Sequence, residues 1–263
     1  MGGLEVVDPR YGPLLDRARS VLEADERVLR VEVGGSIGSG TADAWSDLDL
    51  QVVAHAERFD ALQADWPAWL AAITPTVFAR TPIAPFIINA ITDEGLTLDL
   101  ALFPGEVWTF PPPKYTVGML SGQPFDEVAP ALEYAVNEQL RGMAGPFISL
   151  LKREEHIRHL TGVAHLLMLL NVVFLAETGG PPLGKHWNEG LTEEQRAAVA
   201  ALPPVSATAE GLTSFGLALA QLLIDRARPL FDRYDLEWPA ALAVVTADRV
   251  RDELGLDVSA WLF

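Results

Sequence analysis

The sequence predicts an α+β fold in two parts: an N-terminal mixed β-sheet domain with helices on one side, then a C-terminal helical domain. Three observations carry this. Alternating runs rich in β-branched residues occur only up to about Phe103, and helical periodicity alone is found from Phe125 onward. Between the two lie Pro104-Gly105 and Pro111-Pro112-Pro113, which no regular element crosses unbroken. The boundary therefore falls near residue 120, giving domains 1–120 and 121–263.

Asp8-Pro9 reads as a helix start, with Leu14, Leu15, Ala18, Val21 and Leu22 at helical spacing after it and an end near Glu26. Val28 to Val33 alternates and forms the first strand, which delivers the chain to Gly34-Gly35-Ser36. Ser39 to Ala44 forms a short helix. The second strand follows, with Leu48, Leu50 and Val52 on one face and Asp47 and Asp49 on the other. Ala56 to Ile73 is helical with a break at Pro67, and Phe59, Leu62, Trp66 and Leu70 supply its packing face. Three further strands span Thr76 to Arg80, Phe86 to Ile91 and Leu96 to Phe103, the last two joined by the turn Thr92-Asp93-Glu94-Gly95. Asp99 interrupts the apolar run Leu98-Asp99-Leu100 on a strand expected beside the second. Helices then cover Glu127 to Gly142, Pro146 to Glu177, Thr192 to Leu202, Glu210 to Tyr234 and Pro239 to Leu254.

Composition narrows the function. The 263 residues, 49% of them apolar, are enough for a proper core. With 36 acidic against 19 basic side chains the formal net charge is -17, which disfavours nucleic acid and anionic membrane surfaces as partners and favours a cationic small molecule or a metal-bound nucleotide. The absence of cysteine excludes disulfides, thiolate zinc sites and a cysteine nucleophile. MGGLEVVDPR has no basic region followed by an apolar core, and Val163 to Ala176 is too short to span a bilayer comfortably, so the expectation is a cytoplasmic protein with a buried helix there.

The chemistry resides in the acids. Asp47 and Asp49 project from one face and repel each other unless a cation stands between them, and a hard ion such as Mg²⁺ prefers such oxygen ligands and arrives with phosphates. With Asp99 on a neighbouring strand, the three make a site for one or two Mg²⁺ ions that clamp a nucleoside triphosphate during in-line displacement. Glycine at Gly35 lets backbone approach a phosphate closely, and amides and the Ser36 hydroxyl at a helix start donate to its oxygens. The residues by themselves point to metal-dependent phosphoryl or nucleotidyl transfer.

A strand ending in Gly-Gly-Ser, then Asp47-Leu48-Asp49-Leu50 about ten residues on, then a distant Asp99, resembles the DNA polymerase beta-type nucleotidyltransferase superfamily. The resemblance covers roughly Val28 to Phe103. It implies that Gly35 and Ser36 hold the triphosphate, that Asp47 and Asp49 hold the metal, and that Asp99 completes the metal site or acts as base. Leu98-Asp99-Leu100-Ala101-Leu102 is similar to the Ile-Asp-Leu-Thr-Leu segment of the small-molecule branch, above all the aminoglycoside (streptomycin) 6-adenylyltransferases. Asn137-Glu138 and Leu151-Lys152-Arg153-Glu154-Glu155 are weaker echoes. The chain departs from that family at Ile37, where an Arg often stands, and at Gln139-Leu140, where an aromatic pair is expected. What the resemblance implies is transfer of AMP or another NMP from ATP or another NTP to a hydroxyl of a small cationic acceptor, with a helical domain lining the substrate cleft. The alternatives are a nucleotidyltransferase that modifies a protein, as in toxin-antitoxin pairs, and a nucleotide-binding module without turnover.

Three further groups are candidates. Lys152 and Arg153 could reach a triphosphate, against surface pairing with Glu154 or Glu155. Trp45 could stack on a base, against simple packing. His156 and His159 lie one helical turn apart, yet Arg153, Glu154, Glu155 and Arg158 around them mark an exposed, charged face rather than a zinc site.

Overall fold

A computed structural model describes residues 4–81, 87–105, 127–179 and 187–263. The chain divides into two compact units, Met1–Tyr115 and Thr116–Phe263. The Pro111-Pro112-Pro113 stretch and the expected boundary at residue 120 lie outside the described residues, as does Phe86.

The first unit is a five-stranded mixed sheet. In chain order it comprises α1 (Tyr11–Glu23), β1 (Val28–Val33), α2 (Gly35–Ser39), β2 (Leu48–Ala54), a single turn at Ala56–Arg58, α3 (Phe59–Ala64), α4 (Trp66–Ile73), β3 (Thr76–Arg80), β4 (Ile87–Thr92) and β5 (Thr97–Pro104). The strand order is β1-β2-β5-β4-β3, with β2 and β5 parallel and every other pair antiparallel.

The sheet's register follows from its leucines. Two Leu-Asp-Leu triplets lie side by side, with Leu48 opposite Leu98, Asp49 opposite Asp99 and Leu50 opposite Leu100. All four leucines are buried against Leu14, Ala18 and Leu22 of α1, Leu62 of α3 and Leu70 and Ile73 of α4. Each contributes roughly 2 kcal/mol by leaving water. A slip of one residue would drive the acids into that core and turn the leucines out, so leucine burial outweighs the repulsion between facing carboxylates.

Several expected boundaries move. The short helix expected over Ser39 to Ala44 begins earlier, at Gly35, because the chain turns directly off β1 and Ile37 drops into the core. The stretch it leaves is held instead by Asp43, whose Oδ1 accepts from Trp45 N and Ser46 Oγ, each at 3.0 Å. The helix expected over Ala56 to Ile73 breaks at Asp65, with Pro67 in the first turn of α4, where its missing N–H has no carbonyl to serve.

One long-range hydrogen bond ties α1 to the start of β5: Thr97 N donates to the buried Tyr11 hydroxyl at 3.2 Å. Tyr11→Phe is expected to lower stability by about 1 kcal/mol, since the amide loses its acceptor while packing is kept. Urea titration of both proteins measures this, and an unchanged midpoint would show the bond to be dispensable.

The described residues of the second unit are helical: α5 (Val128–Gly142), a wide turn at Met143–Phe147, α6 (Ile148–Lys152), α7 (His156–Thr178), α8 (Trp187–Gly190), α9 (Glu193–Ala200), α10 (Ala209–Arg233), α11 (Ala240–Leu254) and α12 (Ser259–Leu262). The single helix expected over Pro146 to Glu177 is divided. Pro146 sits in the wide turn, where it cannot donate to the helix ladder, and Glu154 takes a left-handed φ of 56° that ends α6. Both α5 and α10 pack on α7, and α9 opens with a reciprocal cap between Thr192 and Gln195. At His156–Thr178, α7 runs past the predicted apolar segment and is long and apolar enough to cross a membrane. Burial is concentrated in its C-terminal half, at Leu169, Leu170, Asn171, Val173, Phe174 and Ala176, so the buried-helix expectation holds for that half alone.

Candidate active site

The site begins where β1 ends. Gly34 N donates to Asp49 O at 2.9 Å, fixing the turn beside β2, and Gly35 opens α2 with φ +53°. A Cβ on Gly35 would stand 1.7 Å from Asp49 Oδ2. Glycine is therefore required twice over, by the left-handed φ and by a carboxylate in the space a side chain would fill. The sequence suggested that Gly35 makes room for a phosphate; in the structure the group it makes room for is Asp49. Ser36, partly buried, follows on α2, and its carbonyl accepts from Thr41 N at 2.9 Å.

Asp49 lies on β2 and Asp99 on β5 as register partners, on the face opposite the leucine core. Asp47 precedes β2 rather than standing on it, yet the alternation extends back to it: Ser46, Leu48 and Leu50 are buried, while Asp47 and Asp49 are only partly covered. The three expected acids thus belong to one edge of one face. Burial first, then the charge of Asp47 and then that of Asp99, pushes the Asp49 carboxyl up to about 7. Among the described residues, Asp49's carboxylate meets neither a hydrogen-bond donor nor a cation.

Two residues that the sequence analysis passed over extend the row. Asn89 on β4 is the register partner of Asp99, and its Nδ2 donates to Asp99 Oδ1 at 2.6 Å. Arg80 on β3 is in turn the partner of Asn89, and its guanidinium lies 5.6 Å from the centre of the Phe78 ring. Arg80, Asn89, Asp99 and Asp49 therefore run across four adjacent strands on one face. The signal for Asn89 was present: it interrupts Ile87-Ile88-Asn89-Ala90-Ile91 just as Asp99 interrupts its own apolar run.

Do these residues suit a divalent cation? Among the described residues, no three His, Asp or Glu side chains stand close enough together to hold a metal ion by themselves. Mg²⁺ does not need such a cage, because it is commonly held by one or two carboxylates together with substrate phosphates and water. The partly buried, uncompensated charge around Asp49 is what a divalent ion would relieve. The residues fit an ion that arrives with phosphates better than one resident in an all-protein cage.

Three candidates remain. Lys152 ends α6 in the second unit, where its Nζ is 3.9 Å from Glu253 Oε2 and it lines a cavity of about 510 Å³ with Glu210, Thr213 and Ser214. His159 is not on an exposed charged face as expected: it is buried edge-on against Phe147, with ring centres 5.3 Å apart, and burial, followed by the neighbouring His156, pushes its pKa down. Phe147 in turn packs against Gly216 of α10, where a Cβ would come within 2.6 Å of its ring. Trp45 N is held by Asp43, and its side chain is partly buried.

No protein-family model and no curated protein matches this chain. Among solved structures it is similar to an aminoglycoside 6-adenyltransferase from Bacillus subtilis, at 13% identity over 90% of this chain and 95% of that one, with a TM-score of 0.40. A superposition that loose leaves the site to be judged on its own residues.

Proposed function

We propose that this chain is a metal-dependent nucleotidyltransferase that moves AMP, or another nucleoside monophosphate, from a nucleoside triphosphate to a hydroxyl of a small cationic acceptor such as an aminoglycoside. The observation that supports it most is the pairing of Asp49 with Asp99 across two parallel strands, with Asp47 near enough to raise the Asp49 pKa. Like charges gathered in a partly buried place are costly for folding alone, and such clusters are characteristic of functional sites.

In the proposed reaction the acceptor oxygen attacks the α-phosphorus, forming a new P–O bond as the bond to pyrophosphate breaks, and the hydroxyl proton passes to a base. Asp47 and Asp49 would hold Mg²⁺, which would neutralise charge on the donor's phosphates. Gly35 and Ser36 would receive the triphosphate at the turn beside Asp49. Asp99 would accept the hydroxyl proton or share the cation. Lys152 is proposed as a further phosphate contact on the sequence resemblance alone. The net charge of -17 favours a polycationic acceptor over an anionic one.

Incubating the purified protein with ATP, Mg²⁺ and a panel of aminoglycosides tests the reading. Pyrophosphate release that requires both metal and one of the small molecules is the expected result. Label transferred from ATP to protein in place of the small molecule would favour the protein-modifying alternative, and nucleotide binding with no release under any condition would favour a module without turnover.

A further inference from the structure

Asp99 has a partner that its proposed role does not use. On β5 it lies between Asp49 on one side and Asn89 on the other, and neither neighbour was chosen by the leucine core behind it, which sets register but not the chemistry of the opposite face. Two carboxylates on paired strands repel. An amide on the far side offers one of them a favourable direction in which to turn, and Asn89 Nδ2 donates to Asp99 Oδ1 at 2.6 Å, a close contact of the kind a carboxylate acceptor favours.

Resting on the nucleotidyltransferase reading above, we infer that Asn89 is a positioning residue for the transfer step: its amide draws the Asp99 carboxylate toward β4, keeps it apart from Asp49, and aims it for the acceptor hydroxyl. An apolar side chain of similar size at position 89 would leave the register unchanged, since Ile87, Ile88, Ala90 and Ile91 continue the strand around it. What it would remove is the hydrogen bond from Asn89 Nδ2 to Asp99 Oδ1. The two acids then serve different ends: Asp49, packed against Gly35, stays with the phosphates, and Asp99, tethered to β4, faces the acceptor.

A positioning role predicts a loss in kcat without a matching loss in donor binding, because a misaimed group harms the transition state more than the ground state. Asn89→Leu removes the donor, whereas Asn89→His restores a ring N–H at similar reach. The full-length protein is assayed by pyrophosphate release. Asn89→Leu is expected to lower kcat by about 100-fold, the scale on which a catalytic group misplaced by about an ångström loses rate. The KM for ATP should stay within about threefold of the wild-type value, and Asn89→His should regain at least about a tenth of the lost rate.

A kcat for Asn89→Leu within about threefold of wild type overturns the inference, as does a His variant no better than the Leu variant. Should Asn89→Leu fail to fold, the exchange Asn89→Asp with Asp99→Asn decides. It keeps an amide–carboxylate pair between the same strands but moves the acid one strand over, about 4.8 Å. Stable folding without turnover is then expected, and an active exchange variant refutes the role. A wild-type protein that releases no pyrophosphate with any acceptor overturns the transferase reading and this inference together, whereas an active wild type with an unaffected Leu variant removes only the role of Asn89.

Discussion

Replacing Asp49 by Asn is expected to abolish transfer and, in the same protein, to raise the melting temperature under alkaline, metal-free conditions. The folded-state pKa of Asp49, about 7, stands above its ordinary value of 3.8, with burial as the largest cause and Asp47 and Asp99 next. Between those two values the folded protein keeps a proton that the unfolded chain has released. The stabilisation linked to that proton is complete below the unfolded value and is lost as pH rises through about 7. Asn carries no charge at any pH, so the variant avoids the loss. In EDTA at about pH 8 the variant should melt at least about 3 °C above wild type, the shift that roughly 1 kcal/mol gives a chain of this size. At about pH 3.5 the gap should nearly close, because below the unfolded value of 3.8 Asp49 is mostly protonated in the folded and the unfolded chain alike. Added Mg²⁺ should narrow the gap at high pH by stabilising only the carboxylate form. Activity should fall at least about 100-fold, the scale of losing one preorganised electrostatic contact to a transition state. Thermal scans at both pH values, with and without the ion, measure all of this. A variant less stable than wild type at high pH would mean that the carboxylate has compensation in the fold, which would remove the argument that it awaits a cation.

Gly35→Ala should be nearly as damaging for a different reason. The added methyl would occupy the space of Asp49 Oδ2, at 1.7 Å, and the left-handed backbone at φ +53° disfavours any L side chain by roughly 1 kcal/mol or more. Something must move, and the side chain of Asp49 is the nearest group able to do so. Transfer is expected to fall about 100-fold through displacement of that carboxylate. The steric and backbone contributions can be separated by combining the change with Asp49→Ala. The double variant should be more stable than the sum of the two single changes predicts, because the second truncation vacates the space that the first invades. Strict additivity would indicate that the backbone conformation alone makes glycine necessary here.

The expected strands and helices rested on periodicity, and where periodicity was strong they appear within a few residues: β1, β2, β5, α5, α9, α10 and α11. Where the sequence was read through a breaker, it failed. The left-handed turn at Glu154 split the helix anticipated over Pro146 to Glu177, and the turn after Gly34 coiled immediately instead of waiting until Ser39. The site followed the same pattern. Asp47, Asp49 and Asp99 were legible because each is a charge beside or inside an apolar alternation. Asn89 carried the same mark in a weaker form and was passed over, since an uncharged amide in a strand calls for less explanation than a carboxylate.

What the sequence determined by itself is the two-sided character of each strand: leucines at every second position leave Asp49 and Asp99 on the opposite face in any fold that buries those leucines. Only the tertiary structure decided that the two acids are direct neighbours, that Asn89 and Arg80 complete their row, and that the room at Gly35 is taken by Asp49. Alternation along a strand is a local property of the backbone pleat, whereas strand order and register come from long-range pairing, which no spacing within a single strand encodes.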